Sequence, residues 1–194
     1  HIITRAERKL TLIFDGITKE MTKDVYYAAY PWTAPEFYEL FEKKLMIFRT
    51  NGVCTWTGLA PGYVKGGVSA ANVALELAYL FGCKNIVMTG IDLCFIDGKS
   101  HLPGTKVEFD INKSKSLWHE IEGNSGKVTT IPVWLRCLNE YNQATIKKDR
   151  HHHFKLYNTT KQGAKINNTY VKPWEDIEFL FNYEGEGALQ KIGK

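Results

Sequence analysis

Long apolar runs, paired cysteines and arginine are all scarce in this chain, and each shortage removes a class of function. The longest apolar stretch, residues 73–81, is short and broken by Glu76, so no membrane span is expected. Arginine occurs only at Arg5, Arg8, Arg49, Arg136 and Arg150. A net charge of +4 and a pI near 8.8 are mildly basic, but without an arginine-rich stripe they give no case for nucleic-acid binding. The cysteines, Cys54, Cys83, Cys94 and Cys137, are scattered with no CxxC pair, so no metal site is expected from them. They read as buried free thiols in a reducing, cytoplasmic setting. No signal-peptide pattern, internal repeat or low-complexity segment is seen.

What is present suits one good core. The 194 residues are 44% hydrophobic, which predicts a single α/β domain over residues 1–183 with a tail at 184–194. Residues 64–101 organise the rest: a glycine turn, a helix, a tight reversal, a buried strand, then a polar loop carrying Asp92, Asp97 and His101. Over 69–81 the apolar residues Val73, Ala74, Leu77, Ala78, Leu80 and Phe81 recur at helical spacing. Ser69, Asn72 and Glu76 form a narrow polar stripe, and Gly82 supplies a left-handed cap. The β-branched run 86–89 reads as a parallel strand covered on both faces. Because a helix of this length is about 20 Å long, the strand must return to the edge where the helix began. Gly66-Gly67 and the loop after Thr89 are therefore expected to share the carboxyl edge of one sheet, where open α/β folds bind ligands. Bare amides at a helix start suit a phosphate, although packing alone also accounts for the glycines.

Elsewhere the pattern predicts a first strand at 9–14 ending in the Asp15-Gly16 turn. Residues 25–32 are aromatic-rich and are left unassigned. Thr33 and Glu36 mark a helix start, with the helix running to about residue 43 and a strand at 45–48. Trp56 and Tyr63 lie in a glycine-rich connection, where they either pack the loop or stack on a base or sugar. Residues 102–124 are expected to form a polar excursion or lid with a short helix near 114–121. A strand at 126–131 follows, then a helix from Pro132 with Trp134, Leu135, Leu138, Tyr141 and Ile146 near one face. Another strand is expected within 151–158, a short extended piece at 164–166 and a last helix at 173–181. Along a strand, His151 and His153 would share a face and His152 would not, so the three histidines make a poor metal site.

The stretch from Gly66 to His101 resembles the core of the motility accessory factor family and of the MptE-type 6-hydroxymethylpterin diphosphokinases. It carries their glycine turn, alanine-rich helix, strand ending in Gly90-Ile91-Asp92-Leu93, and Asp97-Gly98 followed by His101. Asn158-Thr159-Thr160 with Gly163-Ala164-Lys165-Ile166 is similar to a downstream stretch of the same family. The central motif is also similar to that of bacterial sialyltransferases using CMP-sialic acid. The family's N-terminal Gly-x-Gly-Pro-Ser-Leu and Pro-Asp motifs are absent, which implies a fragment or a shortened relative.

The resemblance implies a Rossmann-like three-layer α/β/α fold with a mainly parallel sheet, truncated or partial relative to the family. It implies a transferase moving a nonulosonic acid from a CMP-sugar donor to a hydroxyl acceptor on a protein or glycan. Gly66, Gly67, Val68, Ser69, Asn72, Gly90 and Asp92 are then the nucleotide contacts. His101 is the candidate general base and Asp92 its catalytic companion or the anchor of its own loop, while Lys65 or Lys99 neutralises the leaving phosphate. No Asp-x-Asp pair occurs, which fits a reaction without a metal. A magnesium-dependent pyrophosphokinase acting on a pterin, with Asp92 and Asp97 as carboxylates, is the alternative, and a non-catalytic ligand-binding domain is the third.

Overall fold

A computed structural model describes residues 2–4, 16–31, 33, 35–47, 64, 68–100, 117–149 and 154–181. It divides into two compact units, residues 1–82 and 83–194. Among the described residues no helix is long and apolar enough to cross a membrane.

The first unit is a parallel sheet of β1 (Ile2–Thr4), β2 (Tyr26–Ala29) and β3 (Lys43–Met46), in that spatial order. The stretch left unassigned in the sequence is thus the central strand, and the reason is its burial. Tyr27, Ala28 and Ala29 are 0%, 2% and 0% exposed, so β2 is covered on both faces and shows no polar alternation. Tyr27 and Ala29 pack with Phe37 and Phe41 on the side of helix α2 (Pro35–Glu39). The Tyr27 ring stacks on Phe41 with centroids 4.4 Å apart. Ala28 and Tyr30 pack with Val73 and Leu77 of helix α3 (Ala70–Leu80) on the opposite side. Helix, sheet and helix therefore form three layers around one strand. A short helix, α1 (Lys19–Thr22), precedes β2, and the Thr22 hydroxyl donates to Leu40 O.

Two boundaries differ from expectation here. Helix α2 stops at Glu39 instead of running to residue 43, because Lys43 and Lys44 are drawn into parallel register with Tyr26 and Tyr27. The strand expected at 45–48 accordingly begins two residues earlier. Among the described strands it lies at the edge of its sheet, where the exposed Lys44 is tolerated and protects against further pairing. The strand expected at 9–14 lies outside the described residues.

The second unit holds a parallel sheet in the order β4 (Asn85–Met88), β7 (Lys155–Asn158), β8 (Tyr170–Val171). Between β4 and β7 come an antiparallel hairpin, β5 (His119–Gly123) and β6 (Gly126–Thr130), and helix α4 (Pro132–Asp149). The helix expected near 114–121 is overturned by β5. There, Ile121 is half-buried between exposed Glu120 and Glu122, and Asn124-Ser125 closes a two-residue reversal onto β6. Such alternation fits a half-buried strand and not a helix. Residues 102–116 of the expected lid lie outside the described residues.

The buried face of α4 carries Cys137, Leu138, Tyr141 and Thr145, while Ile146 is 48% exposed, against expectation. Positions 138, 141 and 145 repeat at three and four residues and keep one line, and residue 146 falls a further 100° round the helix. The last helix is likewise corrected to two 3-10 turns, Trp174–Asp176 and Glu178–Phe181. Only Ile177 is buried among residues 173–181, so no apolar stripe supports a longer α-helix. Of the cysteines, Cys94 and Cys137 are buried as expected but Cys83 is exposed; Cys54 lies outside the described residues.

Candidate functional site

Residues 89–100 leave the carboxyl end of β4 and are held in place by three separate segments. From the turn after β7, Thr159 N donates to Met88 O at 3.0 Å, and the Thr159 hydroxyl lies 3.3 Å from both Met88 O and the Thr89 hydroxyl. Further along that turn, Ala164 N donates to Asp92 O at 2.8 Å. From β6, the Thr130 hydroxyl donates to Leu93 O at 2.7 Å, and Phe95 N donates to Thr129 O at 2.8 Å. From α4, the Trp134 ring meets Phe95 edge-on at 4.9 Å, and Trp118, just ahead of β5, lies on Phe95 at 5.9 Å.

The loop folds back on itself through Asp97-Gly98. Ile96 and Lys99 exchange main-chain hydrogen bonds, and both central residues have positive φ, +50° and +73°. That geometry is a type I′ turn, which Asp-Gly favours. Asp97 therefore has a backbone duty of its own, with its carboxylate exposed.

Asp92 is half-buried, and among the described residues none donates a hydrogen bond to its carboxylate. Gly90 is exposed with φ +69° and open space where a side chain would sit, so its backbone can be approached closely. Cys94 lies two residues beyond Asp92. Burial pushes its thiol up to about 11, an effect offset in part by the Ala164 main chain and reinforced by the Asp92 charge. The Cys94 thiol donates to Gln162 O at 3.6 Å, and a protonated, buried sulfur is a packing group, not a nucleophile.

The turn after β7 is fixed in its own right. Asn158 is 0% exposed, and its Oδ1 accepts from Thr160 N at 2.9 Å. Its Nδ2 is buried with no partner among the described residues. The hairpin tip then grips this turn: Asn124 Nδ2 donates to Thr160 O, the Ser125 hydroxyl to Lys161 O, and Asn124 N to Gly163 O. Asn158, Thr159 and Gly163 were missed as site residues by sequence reasoning. The Asn-Thr-Thr pattern at a strand end was the available signal, since asparagine there readily bonds the main chain two residues on.

In the first unit, Ser69 caps α3. Its hydroxyl accepts from Asn72 N at 3.2 Å and donates to Asn72 Oδ1 at 2.8 Å, while Ser69 N also donates to Asn72 Oδ1. Asn72 is 4% exposed, so the polar stripe of the sequence is a buried capping box at its start. Val68 and Ser69 are half-buried. Gly66, Gly67, Lys65 and His101, together with Trp56, Tyr63 and the histidines at 151–153, lie outside the described residues. Within the second unit the structure thus brings Gly90 and Asp92 together on one clamped loop. Among the described residues no three His, Cys, Asp or Glu side chains converge as a metal site would require.

Three comparisons with known proteins bear on this arrangement. Residues 1–98 match the family described as 6-hydroxymethylpterin diphosphokinase MptE-like. The match takes in Gly66 to Asp92 and stops short of His101. No curated protein matches the sequence. Among solved structures, that of the MAf glycosyltransferase from Magnetospirillum magneticum AMB-1 is similar, with a TM-score of 0.61 and 16% identity. The likeness covers 98% of this chain but 29% of that one, so the chain spans under a third of that protein's length. At this identity the likeness shows the fold.

Proposed function

The chain belongs to the MptE-like family, and from that premise we propose that it is a glycosyltransferase-like domain of the motility accessory factor type. In this reading it moves a nonulosonic, sialic-like acid from a CMP-sugar to a hydroxyl acceptor on a protein or glycan, in the cytoplasm. The observation that carries it is the Asp92 loop: a half-buried carboxylate with no donor among the described residues, beside an approachable glycine, at the carboxyl end of a parallel strand. The fold likeness to a glycosyltransferase supports the same reading.

Gly66, Gly67, Val68, Ser69, Asn72, Gly90 and Asp92 are the proposed nucleotide contacts, with Asp92 on the ribose or ordering its own loop. His101 is the proposed base. The acceptor oxygen forms a bond to the anomeric carbon as the bond from that carbon to the CMP phosphate oxygen breaks. CMP leaves with the electron pair, and the acceptor's proton passes to the imidazole of His101. Lys65 or Lys99 offsets the charge on the departing phosphate. Residues 1–183 are proposed to act as one domain, for which a single cooperative unfolding transition is the test.

A second reading is favoured by the family's own description. A diphosphokinase would transfer pyrophosphate from ATP to a hydroxymethylpterin, with magnesium among the phosphates held by carboxylates such as Asp92. Calorimetric titration with CMP, CDP and ATP, with and without magnesium, separates the two. Binding of CMP without metal supports the transferase, and ATP binding only with magnesium supports the kinase. Binding of none of them leaves a non-catalytic domain and overturns both. Asn72→Asp keeps an acceptor for the Ser69 main chain and brings a negative charge to the proposed phosphate contact, and because Asn72 is 4% exposed its unfolding midpoint is compared with the parent's in the same experiment. It is expected to weaken CMP binding, whereas His101→Ala is expected to lower turnover and leave binding intact.

A further inference from the structure

Asp97 and Gly98 form the tip of the Asp92 loop, and both are exposed. Among the described residues nothing bonds the Asp97 carboxylate, and the Gly98 N–H has no acceptor. A Cβ built on Gly98 would meet nothing within 4 Å, so no packing holds this peptide unit in place. The turn is closed by its outer residues alone, through Ile96 N to Lys99 O at 3.1 Å and Lys99 N to Ile96 O at 2.9 Å.

The sign of φ at Asp97 decides what this freedom allows. Type I′ and type II′ turns share a left-handed φ of about +60° at the first central residue, and differ by a flip of the peptide unit between the two central residues. The flip takes ψ of the first from about +30° to about −120° and reverses the sign of φ at the second. Asp97, at φ +50°, already meets the shared condition, and Gly98, at φ +73°, accepts either sign. The bonds between Ile96 and Lys99 belong to the ends of the turn and persist through the flip. At ψ near about −120° the Cβ of an L-residue eclipses the next nitrogen about the Cα–C bond. Gly98 N then lies against Asp97 Cγ.

We propose that Asp97-Gly98 is a site of spontaneous isoaspartate formation in the folded protein. The Gly98 nitrogen bonds to Cγ of the protonated Asp97 carboxyl as the bond from Cγ to its hydroxyl breaks. That hydroxyl leaves as water with the proton shed by the amide, and a succinimide ring remains. Water then adds to either ring carbonyl. Opening at the Asp97 main-chain carbon breaks its bond to nitrogen, so the chain now runs through Cβ and Cγ and the α-carboxylate is free. Opening at Cγ restores aspartate, and nothing is oxidised or reduced in either case. The added backbone carbon lengthens the tip, so Ile96 and Lys99 no longer keep both bonds. The proposal is independent of the transferase and kinase readings, because the reaction uses only Asp97, Gly98 and water.

Asp92 is the control on the same loop. Its main chain is fixed by Ala164 N, and the side chain of Leu93 hinders attack by the following nitrogen. Trypsin releases both aspartates in one peptide, residues 85–99. The whole folded chain is aged for weeks in mildly acidic buffer at physiological temperature, beside a synthetic peptide of residues 85–99. Electron-transfer mass spectrometry of the digest then locates isoaspartate. It is expected at residue 97 and not at 92, in the folded chain at a rate within about a hundredfold of the peptide's, the factor by which a strained flipped turn is depopulated. Urea below the unfolding transition should leave that rate unchanged, because the flip is local. No isoaspartate at 97 in the folded chain, or as much at 92, would overturn the proposal. A rate that climbs with urea in step with the unfolded fraction would place the reaction in the unfolded chain and overturn it equally.

Discussion

Replacing Gly163 with alanine disturbs the Asp92 loop while leaving Asp92 itself in place. A Cβ there would lie 2.8 Å from Thr160 Cγ2, 3.2 Å from Asp92 O and 3.3 Å from Asp92 Cα. The backbone of Gly163 is not left-handed, so alanine meets no conformational penalty and gains about 0.4–1 kcal/mol from a less free unfolded chain. Against this stands overpacking, typically about 1–3 kcal/mol. The Thr160 methyl can turn aside, but Asp92 is bonded to Ala164 N and its neighbour Leu93 to Thr130, so the main chain yields less readily. The balance is a destabilisation of about 0.5–2 kcal/mol. Urea unfolding followed by circular dichroism should show the midpoint falling with the slope unchanged. Thr160→Ser removes the crowding methyl and keeps both main-chain bonds of residue 160. Combined with Gly163→Ala it should recover stability, with a coupling of at least about 0.5 kcal/mol. A Gly163→Ala protein as stable as the parent, with no coupling to Thr160, would refute the close packing of this turn on the loop.

Three further outcomes follow from the same geometry. Ser69→Ala removes the hydroxyl that accepts from Asn72 N and should cost about 1 kcal/mol in chemical denaturation, whereas Ser69→Asp should cost much less. For Cys94 the folded thiol holds its proton to about 11 against a usual value of 9.0, so the folded chain binds more protons than the unfolded one across that interval. Stability is therefore full below pH 9.0 and falls as pH rises towards about 11, by no more than about 2 kcal/mol. Cys94→Ala should flatten that part of the curve, and a thiol reagent should modify exposed Cys83 in the native protein long before Cys94 or Cys137. Asn158→Asp keeps an acceptor for Thr160 N but places a carboxylate in a fully buried position. It should destabilise by about 1–3 kcal/mol near neutral pH and by less in mild acid, where burial favours the protonated form; a loss independent of pH would contradict the burial of that side chain.

How far the sequence could be read depended on how local the causes were. The capped helix at Ala70–Leu80 and the strand Asn85–Met88 each rest on residues within a few positions of one another, and each was legible, whereas the turn at Asp97-Gly98 was not singled out although it too is local. The strand Tyr26–Ala29 was not legible, because burial on both faces erases the alternation by which a strand is recognised. His119–Gly123 was misread as helical although Ile121 alternates with Glu120 and Glu122, because so short an alternation is recognised as a strand only once its turn and partner strand are in view. The clamps on the Asp92 loop were beyond reach for a further reason. Thr130 lies 37 residues from Leu93, and Thr159 lies 71 residues from Met88, so only the fold pairs them.

That distance has a consequence for the loop itself. Each clamp closes a long stretch of chain, and loop-closure entropy rises only slowly with length, so once one clamp forms the others cost little more to close. The Asp92 loop should therefore be ordered by the hairpin, the β7 turn and α4 acting together and loosened when any one of them fails. Its main-chain amides should then exchange with solvent at rates set by opening of the whole second unit and not by local fraying. The Phe95 N–H, bonded to Thr129 O, is the probe: Gly163→Ala should speed its exchange by the factor that corresponds to the lost global stability, about tenfold for each 1.4 kcal/mol. Exchange at Phe95 that ignores the substitution would mean that the loop opens alone, and that the clamps shape it without tying its stability to the unit.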